Sequence, residues 1–595
     1  LGNDVSGNNN DWAVANIASH DKTLDSPTFG SEGSANFPLW SPLIKGAVNL
    51  SECNTRFSGA TNSRSSMTSW AIPTGTKYYV ECLVTMVSGY GITFGLANPD
   101  IDMTAYNEEA SSMNGFLFVG YSGAGWKTNA IQNGSRQGFS GNLAANSTGV
   151  MAITIDRVAN QVKCYLDNVL ITSGTISISA TEVYHVVVFC SGANSAMNMN
   201  INAGHDSTGA GLYSAGSATD ENGFGSFQYA PPSGFLALCS ANLPTADEVD
   251  PAETDDDYPQ KLFSPIIYTG NGGTLGVTGL GFKPDFVSIR RRNAANTPPL
   301  YDSTRGNTKL LTTTDAAAEY TQSTPGLSAF GTDGFTVEQP NTGDYGTNRS
   351  TALMVAWCQR ANGGTTASNS TGNMTTTTQV DPSGSFSIVT YTGNGSIGQT
   401  WGHGLSAKPD FIMLKKRSGA DNWVCYHSAL GATKYLQLNS DGAATTGIEI
   451  WYNTEPTTSL VYVDNNGRSN YPSGQTYVAY CFANCEGFTK FGSYVGNGNA
   501  DGPFVYTGFK PSVVYVKLAA SSGDWWVEDT ARDTYNPATK YIAWNRSDAE
   551  ASGINIDFLS NGFKIRSASG DFNSSGATIL YGAWAENSFK YATAR

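Results

Sequence analysis

The chain has 595 residues, a net charge of −15 and only 14% charged residues, while 66 residues are glycine. A chain of this length exceeds what one hydrophobic core supports, so we expect several domains. The acidic balance argues against nucleic acid as a partner, and an aromatic content of 11% argues against an intrinsically disordered chain. No stretch offers the roughly 20 consecutive apolar residues of a membrane-spanning helix, so we expect no membrane insertion.

The first 245 residues carry short runs of Val, Ile, Tyr, Phe and Thr, separated by clusters of Gly, Asn and Asp. Such runs predict strands, and their dense spacing predicts a β-sandwich. The clearest pair covers 150–158 and 161–171, with turn residues at 159–160 and again at 167–168. We therefore predict an antiparallel hairpin here.

That hairpin resembles the central hairpin of SPRY/concanavalin-like domains, in which an Asp, a Tyr and an Asn-Gly turn recur. Asp156 and Tyr165 occupy the matching places, and Asn168-Val169 replaces the usual Asn-Gly. The segment FQYAPPSGFLALCSANLP at 227–244 is similar to the end of such domains in bacteriophage virion proteins. The resemblance implies a SPRY/concanavalin-like β-sandwich over 1–245.

Two later segments have the composition of linkers. Residues 246–261 are rich in Asp and Glu, and residues 362–384 are rich in Ser, Thr, Asn and Gly. Like charges repel one another, and polar tracts lack a face to bury, so we expect both segments to be exposed.

The rest of the chain contains three copies of one pattern. The motif YTGNG at 268–272 returns at 391–395 and, as YVGNG, at 494–498. A second apolar strand, a Thr-Lys step and a closing strand follow each time. We assign repeat domains to 262–361 (copy 1), 385–486 (copy 2) and 487–595 (copy 3).

A period near 100 residues is too long for a solenoid. The fold class we predict is therefore all-β: a sandwich followed by three tandem antiparallel β-sandwich-like domains, arranged as beads on a string. In the closing strands we align Trp357 with Tyr480 and Trp584.

The Gly-Asn-Gly motif itself allows two interpretations. A phosphate-binding loop would require a helix after it and the Lys-Ser/Thr of a nucleotide site, and neither follows. Asn-Gly after a strand favours a hairpin turn, because its residues adopt positive φ readily. We expect a structural hairpin turn.

The repeats resemble a repeat domain of unknown function found in tail-fibre-like proteins of bacteriophages. The resemblance implies a non-enzymatic tail fibre, spike or appendage protein that attaches to the host surface and lies on the virion surface after assembly in the host cytoplasm. Implied partners are other tail or neck proteins, host surface glycans and further copies of the chain, as a trimer. Two alternatives remain: a tailspike depolymerase, and a secreted bacterial adhesin.

Candidate catalytic and metal sites are weak, and we expect no catalytic residue, metal or cofactor. Glu248, Asp250 and Glu253 have the spacing of a glycoside hydrolase motif, but a solvated linker cannot raise a carboxyl pKa for acid catalysis. Ser428 adjoins His427, but neighbouring residues of a strand face opposite sides. The acidic run at 255–257 lacks the Gly and Glu of a calcium loop.

Four aromatic residues of the repeats are candidate contacts for a glycan or a partner, namely Trp423, Tyr426, Trp525 and Trp526. Packing in the core is the favoured interpretation, and an exposed sugar-stacking face is the alternative. The nine cysteines lie mostly in apolar runs, so we expect free, buried thiols and synthesis in a reducing compartment.

Overall fold

The computed structural model divides the chain into two compact units, Leu1–Pro244 (unit 1) and Thr245–Arg595 (unit 2). The residues that it describes are 37–45, 48–51, 54–59, 64–85, 87, 91–98, 116–121, 129–132, 135–138, 147–171, 176–180, 182–190, 198–205, 217–250, 258–339 and 345–589. Nearly all regular structure in them is β, which confirms the predicted fold class.

Unit 1 is built from two mainly antiparallel sheets, one in the order β1-β4-β14-β6-β7-β8-β9 and the other in the order β12-β11-β10-β5-β15-β3-β2, where β13 also pairs with β11 and β16 pairs parallel with β5. Its strands are β1 (Trp40–Lys45), β2 (Val48–Ser51), β3 (Arg56–Gly59), β4 (Arg64–Thr68), β5 (Lys77–Thr85), β6 (Gly91–Ala97), β7 (Phe116–Tyr121), β8 (Asn129–Gln132), β9 (Ser135–Gly138), β10 (Thr148–Asp156), β11 (Gln161–Leu166), β12 (Val169–Leu170), β13 (Ile176–Ser177), β14 (His185–Cys190), β15 (Asn198–Asn202) and β16 (Leu236–Ala237). A 3-10 helix covers Ser240–Asn242.

The two sheets of unit 1 share one hydrophobic core. Phe94 and Val186 of the first sheet and Val80 and Ile153 of the second belong to the same buried cluster. Unit 1 is therefore a sandwich, as expected.

The predicted hairpin is confirmed. Strands β10 and β11 pair antiparallel, with Asp156 opposite Gln161. The next turn, to β12, has Asp167 at φ 48° and Asn168 at φ 65°. Positive φ at both central residues is what a tight two-residue hairpin turn requires, and Asp and Asn tolerate it best after Gly.

Unit 2 contains the three copies. Copy 1 has β17 (Phe263–Thr269), β18 (Leu275–Thr278), β19 (Phe286–Arg291), β20 (Pro299–Asp302), β21 (Lys309–Thr312), β22 (Tyr320–Thr321), β23 (Leu327–Gly331), β24 (Gly334–Val337) and β25 (Leu353–Gln359). Copy 2, with two strands before it, has β26 (Ala367–Asn369), β27 (Thr376–Val380), β28 (Phe386–Thr392), β29 (Gln399–Gly402), β30 (Phe411–Lys416), β31 (Val424–His427), β32 (Lys434–Tyr435), β33 (Thr445–Thr446), α1 (Ile448–Trp451), β34 (Leu460–Val463) and β35 (Thr476–Phe482). Copy 3 has β36 (Thr489–Val495), β37 (Phe504–Tyr506), β38 (Phe509–Leu518), β39 (Trp525–Asp529), β40 (Ala538–Ala543), β41 (Ala551–Leu559), β42 (Gly562–Ile565), α2 (Gly570–Asn573) and β43 (Thr578–Ser588).

The same strand order recurs in the main sheet of each copy. It is β17-β25-β19-β20 in copy 1, β28-β35-β30-β31 in copy 2 and β36-β43-β38-β39 in copy 3. The first strand of each copy therefore pairs with the last, which closes the copy on itself.

The three copies are not independent beads, and that expectation is corrected. One buried cluster contains Phe286 of copy 1, Phe411 of copy 2 and Phe491 of copy 3. Ring centroids lie 5.0 Å apart between Phe286 and Tyr480 and 4.9 Å apart between Phe263 and Trp584. A core shared at this density makes the copies one cooperative unit rather than three.

The two expected linkers are also corrected in part. Within 362–384, β26 and β27 pair with each other, and β27 extends the main sheet of copy 2. Thr supports this because its β-branched side chain suits a strand. In 246–261, Asp247–Val249 and Pro259–Lys261 form 3-10 helices, and Val249 is buried in the shared core. Residues 251–257 lie outside the described residues.

The Gly-Asn-Gly motif is a turn, but it does not form a hairpin. The strand after it does not pair with the strand before it: β18 pairs with β24, β29 with β34, and β37 with β42. Only the last glycine has a positive φ, at 80° in Gly272, 74° in Gly395 and 69° in Gly498. The motif therefore carries the chain to a smaller sheet in copies 1 and 2 and to the opposite edge of the same sheet in copy 3, and the hairpin prediction was wrong.

A buried asparagine holds each of these turns. In copy 2, Asn470 Oδ1 accepts from Asn394 N at 2.9 Å, and Asn470 Nδ2 donates to Asn394 Oδ1 at 3.1 Å and to Ser396 O at 2.8 Å. Asn348 and Asn573 make the same bonds in copies 1 and 3. Because these bonds recur in all three copies, the motif is a structural element of the repeat.

Candidate functional site

Three of the four aromatic candidates are buried, which agrees with the favoured interpretation of core packing and corrects the alternative that they contact a glycan or a partner. Trp525 lies opposite Lys517 on the neighbouring strand, Trp423 directly precedes the equivalent strand β31, and neither is exposed. Trp423 Nε1 donates to Thr312 O of copy 1 at 2.7 Å, and Trp525 Nε1 donates to Gln437 O of copy 2 at 3.1 Å. Both rings are covered by the preceding copy.

The other two candidates pack within their own copies. Tyr426 is fully buried, and its hydroxyl donates to Glu455 Oε2. Trp526 is half-buried: its Nε1 donates to Asp571 Oδ2 at 2.7 Å, and its ring meets the Tyr541 ring edge-on at 4.9 Å. Trp526 alone of the four keeps accessible surface.

Buried cations connect the copies in a closed ring. Lys415 Nζ of copy 2 donates to Ala316 O of copy 1 at 3.0 Å, and Lys517 Nζ of copy 3 donates to Gly442 O of copy 2 at 3.0 Å. Arg290 Nη2 of copy 1 donates to Asp548 O of copy 3 at 3.0 Å. These equivalent residues form the three junctions of the ring.

Burial lowers the pKa of these cations. It brings the pKa of Lys415 and of Lys517 to about 8, against partial compensation from nearby aspartates. The pKa of Arg290 falls to about 9, through burial and the charge of Arg532. Each charge is hydrogen-bonded to backbone carbonyls, which offsets part of the cost of removing it from water.

Two junctions also carry an arginine–glutamate pair. Arg417 Nε lies 2.8 Å from Glu319 Oε2, and Arg292 Nε lies 2.9 Å from Glu550 Oε2. At the junction of copies 2 and 3, the equivalent residues are Ala519 and Ala444, joined only through Ala444 N to Ala519 O at 2.9 Å. That junction lacks the arginine–glutamate pair.

A second side-chain contact between copies is likewise present at two junctions and absent from the junction of copies 2 and 3. Tyr480 Oη donates to Asp302 Oδ2 at 2.6 Å, and Trp357 Nε1 donates to Asp529 Oδ2 at 3.1 Å. The strand pairing places Gly582, not Trp584, at the third equivalent position, so our alignment of the closing strands was two residues out in copy 3. A Cβ on Gly582 would lie 2.3 Å from the Tyr515 ring, which explains the glycine.

At the junction of copies 2 and 3, His427 occupies the position that Asp302 and Asp529 have in the other copies. Its Nδ1 accepts from Ala429 N at 3.2 Å, so the other ring nitrogen carries the hydrogen and donates to Tyr581 O at 3.3 Å. Burial lowers the pKa of His427 to about 4. With both nitrogens engaged, the histidine has no free position for activating Ser428.

The acidic candidates do not form a catalytic pair in the described residues. Asp250 follows a 3-10 helix rather than lying on a strand, and Glu253 and 255–257 lie outside the described part of the chain. Among the described residues, no group of three His, Cys, Asp or Glu side chains could hold a metal ion. No described helix is long and apolar enough to cross a bilayer.

The shared core contains a small cavity of about 10 Å³. Its lining is mostly aromatic: Phe263, Phe286, Trp357, Gln359, Phe482, Val513, Tyr515, Val527, Trp544 and Trp584. The space corresponds to about one water molecule and is far too small for a sugar.

The accessible large side chains of copy 2 lie elsewhere. Ile397 is 61% exposed, Tyr471 51% and Tyr452 44%, and all three flank the Gly-Asn-Gly turn of copy 2. We call this surface the copy 2 tip. The sequence prediction missed it, although comparing the three turns would have drawn attention to it, because the third residue after the central asparagine is Ile397 in copy 2 and Thr or Ala in the other copies.

Comparisons with known proteins place the chain in a class and then in a family. The structure is an all-β protein with a two-sheet sandwich and a closed ring of three repeats. Residues 258–588 match the domain of unknown function DUF7483, so the chain belongs to that family. This match spans all three copies. None of the curated proteins matches the sequence.

Several solved structures are similar to part of the chain. They include the SPRY domain of human HERC1 (15% identity, 27% of this chain and 96% of that chain, TM-score 0.23) and the TRIM65 PSpry domain (13%, 28% and 92%, 0.22). A third is the Emp46p carbohydrate recognition domain in its potassium-bound form (14%, 31% and 94%, 0.23).

Proposed function

We propose that this chain is a structural component of a bacteriophage virion, as a tail fibre, spike or appendage, and that it attaches to the host surface through several contacts at once. The observation that carries the proposal is the closed ring of unit 2. It presents three equivalent Gly-Asn-Gly turns. The asparagine of each turn is exposed, and a second, buried asparagine holds the turn in place through hydrogen bonds. Rigid, repeated presentation is the arrangement from which weak contacts gain avidity.

The resemblance of the repeats to tail-fibre-like proteins supports the same proposal. Partners would be other tail or neck proteins and host surface glycans, and the chain would form a homotrimer on the virion surface. Buried hydrogen bonds at every junction suit a part that must keep its shape outside the cell.

The test is mass spectrometry of purified virus particles from cells that carry the gene. Peptides from both units should copurify with the particles, and recombinant full-length protein should compete with them for adsorption to host cells. Peptides found only on uninfected cells or in their medium would favour the secreted adhesin instead. Release of reducing sugar ends from host polysaccharide by the purified protein would favour the depolymerase.

A further inference from the structure

We propose that the copy 2 tip is a contact surface for neutral carbohydrate. The inference rests on the proposed attachment function, because it assigns one of the several contacts to one place in the ring. It replaces the buried Trp423, Tyr426 and Trp525 as the aromatic contact surface.

The three side chains of the tip lie around one loop. Asn470, which precedes Tyr471, donates to Ser396 O at 2.8 Å. On the other side of Ile397, a Cβ on Gly398 would lie only 2.9 Å from Tyr452 Cζ, so the Tyr452 ring rests on that glycine. Ile397 is therefore held between the segments that carry the two tyrosines.

Equivalent turns in the other copies lack this surface. Three residues after the central asparagine, copy 1 has Thr274 and copy 3 has Ala500, where copy 2 has Ile397. In place of Tyr471 they have Arg349 and Ser574. The framework is common to all three copies, so the exposed apolar side chains of copy 2 are not needed to build the turn. Several exposed apolar side chains around one loop indicate a contact surface, whereas a single one, such as Val495 before the turn of copy 3, is ordinary.

The backbone beneath the tip is fixed. Tyr452 follows the short helix α1 at φ 52°, and Asn453 has φ 49°. Glycine is the usual residue in this left-handed position, and a side chain there costs conformational energy. Tyr471 is held through its carbonyl, which accepts from Tyr477 Oη at 3.0 Å. A backbone that is already ordered loses little entropy when the tip binds.

The chemistry of the tip fits a neutral sugar. Residues 391–399, 451–454 and 469–477 contain no charged side chain. Two amides stand at the rim, where Asn394 Nδ2 donates to Gln399 Oε1 at 2.9 Å in an exposed pair. Hexopyranoses offer C–H faces that pack on aromatic rings and hydroxyls that pair with amides. A sialic acid, uronic acid or phosphate would require a cation at the tip.

The experiment uses the full chain on an array of immobilised neutral glycans (glucosides, galactosides, mannosides and N-acetylglucosaminides) beside sialylated and uronate glycans. The variants are Tyr471→Ser and Tyr452→Gly, and the second relieves a positive φ rather than creating strain. Tyr535→Ser is the matched control, because Tyr535 is 82% exposed in copy 3, outside the tip.

We expect binding to at least one neutral glycan, weakened about fivefold or more by either tip variant and unchanged in Tyr535→Ser. The inference is overturned if no neutral glycan binds, if only charged glycans bind, or if both tip variants bind like the control. Self-association that the tip variants abolish would also overturn it, in favour of a second copy as occupant. Virion mass spectrometry tests the proposed function separately, since a tip without glycan affinity leaves the protein on the particle.

Discussion

Arg417 of copy 2 and Glu319 of copy 1 form a two-point ion pair, with Nε 2.8 Å from Oε2 and Nη2 3.0 Å from Oε1. The same carboxylate also accepts from Arg305 Nη1 at 3.1 Å. Burial would raise the pKa of Glu319, but the hydrogen bonds and charges of the two arginines outweigh it and hold the pKa below its ordinary value. The pair stabilises the junction of copies 1 and 2 as long as the carboxylate is ionised.

Neutralising this carboxylate should therefore weaken the ring. For Glu319→Gln we expect the free energy of unfolding to fall by about 2–3 kcal/mol at pH 7, because two arginines lose a charged partner. In the wild-type chain, the stability that the Glu319 carboxylate contributes is present above its pKa in the unfolded chain. That contribution is lost as pH falls through its lower pKa in the folded chain. Urea unfolding followed by tryptophan fluorescence between pH 3 and pH 7 measures both effects.

The junction of copies 2 and 3, which lacks the arginine–glutamate pair, supplies the control. Glu319→Ala with Arg417→Ala copies the Ala444 and Ala519 arrangement that the protein already uses. The double variant should lose less stability than the sum of the two single variants, with a coupling energy of about 1 kcal/mol or more. Additive losses would show that the pair contributes nothing to the junction.

Glu528 should contribute more stability in acid than at neutral pH. Both of its carboxylate oxygens are buried and, among the described residues, have no hydrogen-bond partner. Burial raises its pKa well above the ordinary value of 4.5 and outweighs the opposing charge of Arg532. The contribution of the neutral carboxyl is complete below the unfolded pKa and declines as pH rises toward the folded pKa.

Glu528→Gln removes this titration. We expect the variant to exceed the wild type in free energy of unfolding by roughly 1–3 kcal/mol at pH 7 and to match it near pH 4. The measurement is the difference between the two stability curves over that range. A difference that does not change with pH would mean that Glu528 titrates normally in the folded chain.

Much of this fold could be predicted from the sequence, because strands and repeats leave a local record. The hairpin of β10 and β11 follows from alternation and turn residues, and the three copies follow from their shared motif. The ring does not leave such a record. Arg290, Lys415 and Lys517 occupy equivalent positions, but their acceptors are backbone carbonyls, which no side chain identifies in advance.

The aromatic candidates show the same limit. Alternation along a strand places Trp423 on one face but does not say whether another copy covers that face. Thr312 of copy 1 covers it. The copy 2 tip could have been found, because Ile397 and Tyr471 differ from their counterparts in residues that the sequence alone displays.

The first glycine of the motif should not tolerate a side chain. A Cβ on Gly270 would lie 2.1 Å from Arg349 O, a backbone atom that cannot move away cheaply. Gly270→Ala should therefore lower the melting temperature by several degrees, for a loss of about 2 kcal/mol or more. Gly276→Ala is the control, because a Cβ on this strand glycine meets no atom within 4 Å. Equal effects of the two substitutions would contradict the close approach seen at the turn.

Trp525 should act on stability and not on binding. The bond from its Nε1 to Gln437 O crosses the junction of copies 2 and 3. Because this junction lacks the arginine–glutamate pair, we expect packing of the Trp525 side chain to contribute more to holding copies 2 and 3 together. Trp525→Phe removes the bond from Nε1 and leaves Gln437 O with its longer bond from Ser440 N at 3.3 Å, so it should cost about 1–2 kcal/mol, and Trp525→Ala about 3–5 kcal/mol. Trp526→Phe, which loses a bond to Asp571 within copy 3, serves as the control for removing an indole without crossing a junction.

Adsorption to host cells, measured per folded molecule, should be unchanged in Trp525→Phe. A variant that folds like the wild type but no longer adsorbs would return Trp525 to the list of contact residues.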